Sequence, residues 1–284
     1  MIKTKKYPKY LNNLSLKKSI QNTNFIGSAE DLIFSLFYLR KKHKNFYFPL
    51  GNIKNYDIDL MWNICISLKC NTKKKLKLFL PENEKSYFIK INYYIKNYKS
   101  NKKRQFVLIP IYLGADNCDI QKGHFNILIF NLQTMIIERF EPYGKQLHIK
   151  QHALFDKNIK SLFKKHKINV IIKTHKDFMT KNSFQTLDEG EINNNISSLR
   201  NTDPGGFCIV WGIWFCNMKL KYPDISSKEL IIKTENILKK NKPFRNFIRN
   251  YSQFLIQERK KVLGMSLKYF SKKNISKKII FLSK

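Results

Sequence analysis

The sequence predicts an α+β domain in which a small mixed sheet packs on one central, apolar helix. Residues 106–113, 125–132 and 135–140 are short β-branched and aromatic runs divided by polar or glycine-containing breaks, the pattern of neighbouring strands. Residues 207–216 are apolar on nearly every side and stop ahead of Pro223, as a helix buried all round would. With 284 residues, 43% of them hydrophobic and 14% aromatic, the chain can bury a sizeable core.

In chain order, residues 1–25 read as a basic mobile arm, 26–265 as a single domain and 266–284 as a basic tail. Ser28, with Asp31 three positions on, caps a helix that carries Leu32, Ile33, Leu36, Phe37 and Leu39. Leu60, Met61, Ile64, Cys65 and Leu68 fall at helical spacing and predict a second helix over 57–70, with Cys65 in the core. The three strands follow, the last two joined by a tight hairpin at Gln133-Thr134. A helix over 149–165 and a buried strand over 168–172 come next. The polar stretch 176–206 reads as loop, and loops of such length in compact domains are often functional. Helices over 226–239 and 243–263 close the domain.

Lysine and arginine number 54 against 20 aspartates and glutamates, a formal charge of +34. The Lys/Asn/Ile-heavy vocabulary matches an AT-rich genome, which explains many individual lysines but not the imbalance. Nucleic acid is the natural partner of such a field, and a solvated basic surface without a ligand is the alternative. Cys65, Cys70, Cys118, Cys208 and Cys216 are odd in number and irregularly spaced, which argues against a disulfide framework and for a reducing compartment. No CxxC pair supports zinc, and no metal or other required cofactor is expected. The N-terminus lacks a secretory apolar run, and no stretch reaches the ~18 apolar residues of a membrane span. A soluble, non-secreted protein is expected.

Cys208 falls at the N-terminal end of the central helix, where the helix dipole favours the reactive thiolate. Gly205-Gly206 ahead of it permit a tight turn and close passage of a substrate backbone. The competing reading makes Cys208 a small core residue like Cys216. A thiolate nucleophile wants an imidazole beside it, and the imidazole wants an acceptor on its far nitrogen. His124 opens a strand directly after Gly123, whereas His43, His148, His152, His166 and His175 lie in lysine-rich, surface-like contexts. If 124–132 and 135–141 pair as an antiparallel hairpin, Glu141 returns level with His124. Glu138 is the competing carboxylate, placed mid-strand and suited to pairing with a surface lysine.

Gly123-His124-Phe125, followed seventeen positions after His124 by Glu141 within Phe140-Glu141-Pro142-Tyr143-Gly144, resembles the His-aromatic opening and Phe-Glu-Pro-aromatic-Gly closing of adenovirus-type endopeptidases. Their relatives include the Ulp1 deSUMOylating proteases. Asp203 to Trp211, followed by Lys221-Tyr222-Pro223, is similar to the cysteine segment of Ulp1-like proteases of large DNA viruses. The resemblance covers about 105–225. It implies a papain-like/Ulp1-like fold and a thiol protease with His124, Glu141 and Cys208 as catalytic residues. In that family the nucleophile directly precedes Gly, with an oxyanion-hole Gln a few residues upstream. A register forced on Gly205 would put Pro204 at the nucleophile and imply a dead enzyme, so the register on Cys208 is preferred.

Gln185 is the first choice for the oxyanion hole and Asn201 the runner-up. The resemblance further implies cleavage at small-residue or Gly-Gly-type sites, in viral structural precursors or ubiquitin-like conjugates. A virion or host-cytoplasm location and stimulation by nucleic acid are its remaining implications. A catalytically inactive, basic virion or nucleic-acid-binding protein on the same fold is the alternative, and an acyltransferase with the same site is a third reading. Phe207, Trp211, Trp214 and Phe215 read as core in preference to a base-stacking surface.

Overall fold

The structure is a computed structural model that describes residues 25, 27–48, 64–67, 77–79, 84–114, 124–144, 149–180, 183–188, 207–241 and 244–263. Its elements run α1 (Ala29–Lys42), β1 (Phe46–Tyr47), β2 (Ile64–Ser67), β3 (Lys77–Phe79), α2 (Glu84–Asn101), β4 (Phe106–Gly114), β5 (His124–Asn131) and β6 (Ile136–Phe140). Then come α3 (Ile149–Lys165), β7 (Ile171–Lys173), α4 (His175–Phe178), a helical turn at 184–188, α5 (Phe207–Lys221), α6 (Ser227–Asn241) and α7 (Phe244–Leu263). The strands form one mixed sheet in the order β3-β2-β4-β5-β6-β7, with β1 also on β4. β4, β5 and β6 are antiparallel neighbours, while β1 and β2 lie parallel to β4 near its two ends and β7 lies parallel to β6. Pro110 falls between the parts of β4 paired by β1 and by β2, a gap in which a missing N–H is tolerated.

Alternation along the central strands feeds two cores. Phe106, Leu108, Phe125, Ile127 and Ile129 join one cluster with residues of α1, α5 and α7. Val107, Ile109, Ile111, Leu128 and Phe130 join a second with residues of α2 and α3. Helices therefore cover both faces of the sheet, which is why its strands read as nearly unbroken apolar runs. The α1 cap forms as a reciprocal box, with the Ser28 side chain accepting from the Asp31 N–H and the Asp31 carboxylate accepting from the Ser28 N–H.

α5 is buried at almost every position, with Trp211 and Trp214 fully enclosed. Trp211 stacks on Phe184 at 4.9 Å and on Phe247 at 5.5 Å, so the aromatic cluster is core. At Gly212 α5 packs tightly on a side chain of β5: a Cβ there would lie 2.2 Å from Phe125 Cε1.

Several expectations are corrected. Residues 64–67 of the expected helix over 57–70 form β2, because pairing with β3 and β4 outweighs the helical spacing of the apolar residues. The remainder of that span, and the side chain of Cys65, lie outside the described residues. α2 and β3 are absent from the sequence reading, and the buried strand expected over 168–172 is instead a strand at Ile171–Lys173 with Ile171 exposed, because β7 lies at the sheet's edge. The hairpin turn spans 132–135, with Met135 at φ 55°, in place of two residues. The stretch read as loop from 176 contains part of α4 and the turn at 184–188. Both expected arms fall almost wholly outside the described residues. Among the described residues no helix is long and apolar enough to cross a membrane.

Candidate active site

His124 is the first residue of β5, and Glu141 directly follows β6. The β5–β6 register pairs Ile127 with Phe140, so its continuation sets Glu141 opposite Asn126, two residues inside His124. The carboxylate spans that offset. His124 Nε2 donates to Glu141 Oε1 at 2.5 Å, while Asn126 Nδ2 donates to Oε2 at 2.7 Å and the Tyr143 N–H to Oε1 at 3.0 Å. Glu141 is fully buried, and the His124 side chain is 16% exposed. The Tyr143 ring lies over the imidazole with centroids 5.0 Å apart.

Cys208 is the second residue of α5 and half-buried, and it lies close enough to the His124 ring to help raise the imidazole pKa. With Nε2 held by Glu141, Nδ1 is the nitrogen left for sulfur. Burial alone would lower the His124 pKa. The charge of Glu141 and the hydrogen bonds to Cys208 and Glu141 outweigh it and raise the pKa to about 10. Burial likewise opposes ionisation of Glu141, but the His124 charge and hydrogen bond, Arg139 and the Tyr143 N–H bring its pKa down to about 2. Cys216, two turns further along α5, is fully buried, and burial pushes its thiol pKa well up. The two thiols of this helix thus differ in exposure and in partners.

Behind Glu141 lies a buried polar network. Arg139 is fully enclosed, its Nη1 donating to Asn126 Oδ1 at 3.0 Å and lying 3.9 Å from Glu141 Oε2. Its Nε and Nη2 grip Asp156 of α3 at 2.6 and 3.0 Å, and Nη2 also donates to His175 Nδ1 at 3.0 Å. Sequence reading missed Asn126, Arg139 and Asp156. For Asn126 and Arg139 the available signal was a polar residue inside a largely apolar strand, whereas Asp156 lies on α3 and carries no such signal.

His175, read as a surface residue, is buried, because α4 folds back to set it against Arg139. His43 and His166 are half-buried and tied to Asn217 and Glu84, whereas His148 and the side chain of His152 lie outside the described residues. Glu138 is not paired with a surface lysine. It accepts from Ser227 Oγ at 2.7 Å and lies 3.8 Å from Lys219, itself only 6% exposed, because α5 and α6 cover that part of β6.

Gln185 lies on the turn at 184–188 and is buried, its N–H donating to Pro142 O at 3.1 Å. Thr186 Oγ1 donates to Tyr143 O, Phe184 stacks on Trp211, and Asp188 accepts from Trp211 Nε1 and Arg245 Nη1. The segment is thereby wedged between the turn after Glu141 and the face of α5 one turn beyond Cys208. Gly144 permits that wedge, since its φ is +66° and a Cβ would meet Ser183 Cβ at 2.7 Å. Asn201, Pro204, Gly205 and Gly206 lie outside the described residues.

No protein-family model matches the chain. In an alignment 259 positions long that covers 81% of this chain, the sequence is 29% identical to an Acanthamoeba polyphaga mimivirus protein named as a putative ankyrin repeat protein, and it spans 31% of that protein's length. Solved structures similar to it include the Chlamydia trachomatis effector ChlaDUB1 (12% identity, 82% of this chain and 84% of that one, TM-score 0.39). Others are the C. trachomatis effector Cdu1 bound to ubiquitin (11%, 86% and 95%, 0.40) and the SUMO protease Ulp1 with its catalytic cysteine oxidised to a sulfinic acid (14%, 86% and 81%, 0.31).

Proposed function

We propose that the chain is a cysteine endopeptidase of the Ulp1/adenovirus-endopeptidase type, with Cys208 as nucleophile, His124 as general base and acid, and Glu141 as the orienting carboxylate. One observation carries the reading: a single imidazole joins a buried carboxylate to a half-buried thiol at the head of a buried helix. An imidazolium at His124 is the partner that a thiolate needs. In the reaction, Cys208 sulfur attacks the substrate carbonyl carbon, and the carbonyl electrons move onto oxygen. Gln185 and the Cys208 backbone N–H serve that oxyanion. Collapse breaks the C–N bond as His124 passes its proton to the departing amine. Water, giving a proton to His124, then cleaves the thioester and frees Cys208.

Polypeptides with small-residue or Gly-Gly-type cleavage sites, including ubiquitin-like conjugates, are the proposed substrates, on the resemblance carried by 123–144. The test is labelling with an electrophilic thiol probe, followed by ubiquitin and SUMO probes bearing a C-terminal electrophile. Selective modification of Cys208 over the other four cysteines, lost in His124→Ala, supports the assignment. Slow, uniform labelling of all five would overturn it and favour a non-catalytic protein on this fold.

A further inference from the structure

A cleft of about 690 Å³ opens where the last turns of α2, the β5–β6 turn and the residues closing α3 come together. His124 is at the other end of β5, more than ~20 Å away at ~3.4 Å per residue. Lys96, Lys99 and Lys102 line the cleft at intervals of three, and Lys167 joins them from the end of α3. No aspartate or glutamate is among the lining residues, and among the described residues none of these four lysines is held in an ion pair. Ile95, Tyr98 and Leu132 supply apolar surface between the charges.

The backbone adds an independent sign. Among the described residues three non-glycines have left-handed φ, namely Lys102 (52°), Met135 (55°) and Lys167 (59°), and all three line this cleft. The Lys102 N–H donates to Tyr98 O at 2.8 Å to close α2. The Lys167 N–H donates to Lys164 O at 2.9 Å, and the Ile168 N–H to Phe163 O at 3.0 Å, to close α3. Glycine fills such helix-closing positions without the steric penalty of a Cβ. Lysine at both puts two ammonium groups at the cleft against local backbone preference, a pattern met where strain serves a site. The two helix C-termini bring roughly half a negative charge each, which four ammonium groups outnumber.

We propose that this cleft binds a compact, soluble anion carrying two or more phosphate groups, its charge met by the four lysines and its framework resting on the apolar surface. The site is independent of the chemistry assigned to Cys208. Calorimetric titration of the full chain with inorganic tripolyphosphate, at low and moderate salt, tests it. The Lys102→Gly/Lys167→Gly variant should lose at least ~tenfold in affinity while its Tm rises, because the left-handed positions are relieved. A control with the same charge change elsewhere, Lys228→Ala/Lys240→Ala, should bind within ~threefold of the parent chain. Equal losses in the two variants would assign binding to the diffuse field of a +34 chain and overturn the proposal. So would unchanged binding in the glycine variant. Displacement by single-stranded DNA that depends equally on the control lysines would likewise point to an extended polyanion and against a compact ligand.

Discussion

Gly212 follows Cys208 by one helical turn, and Phe125 directly follows His124, so the tight contact of Gly212 with the Phe125 ring adjoins both residues in sequence. In Gly212→Ala the new methyl would lie 2.2 Å from Phe125 Cε1 and 3.0 Å from Cδ1. Carbon atoms rest at ~3.5–4.0 Å, so either α5 retreats by roughly 1.3 Å or the enclosed Phe125 ring moves. Overpacking of this kind costs about 1–3 kcal/mol, and a ~1 Å displacement at the reacting atoms costs on the order of 100-fold in rate. The variant is therefore expected to lose about 1–3 kcal/mol in urea unfolding and on the order of 100-fold in the rate of electrophile labelling at Cys208. Phe125→Leu added to it makes room for the methyl and should restore much of the labelling, giving a non-additive double-mutant cycle. Parent-like labelling and stability in Gly212→Ala, or strict additivity in the cycle, would refute the idea that this approach sets the Cys208–His124 separation.

Two further outcomes are expected of the carboxylate side. Arg139→Met leaves Asp156 and Glu141 without their shared buried cation and should destabilise the fold by about 3–5 kcal/mol in urea, with Arg139→Lys a poor rescue because the two-pronged grip on Asp156 is lost. The pH dependence of stability follows from opposite shifts in the pair. The raised pKa of His124 makes its contribution complete below its ordinary 6.5 and lost as pH climbs through about 10. Glu141, depressed from 4.5, contributes fully above that value and loses its contribution as pH falls through about 2. The stability gap between the parent chain and Glu141→Gln should therefore be widest between pH 4.5 and 6.5 and narrow toward 2 and toward 10. Urea unfolding at a series of pH values reads it, and a gap constant across that range would contradict the pairing.

The strands that carry His124 and Glu141 were legible because period-two apolar runs and a short break define a hairpin, and a hairpin brings its ends together. The exact partner was not, since the register sets Glu141 opposite Asn126, two residues inside His124, and a two-residue turn at Gln133-Thr134 would have given the same pairing. α5 was legible for a different reason, being apolar on all sides. What escaped depended on long-range pairing or on side chains that look ordinary in sequence. Ile64–Ser67 carries helical spacing yet becomes a strand because β4 offers an edge, and the helical spacing of the buried residues of α2 is blurred by Ile89 and Tyr93 on its exposed face. His175 read as a surface residue and Arg139 drew no reading, and only the arrival of α3 and α4 shows the two facing each other inside the protein.

The two halves of the site come from separate supports, the sheet for His124 and Glu141 and a helix for Cys208, so something must keep them in register. Gly212 packs directly against the Phe125 ring, which joins the helix to the strand next to both residues. The segment 183–188 ties them along the side, with the Gln185 N–H held by Pro142 on the sheet side and Phe184 and Asp188 held by Trp211 on the helix side. A side chain on a segment anchored at both ends moves with the site and not with the loop that leads to it. The oxyanion role proposed for Gln185, 23 residues from Cys208 in sequence, draws its support from this: preorganisation requires a donor fixed relative to both nucleophile and base, and this segment touches the support of each.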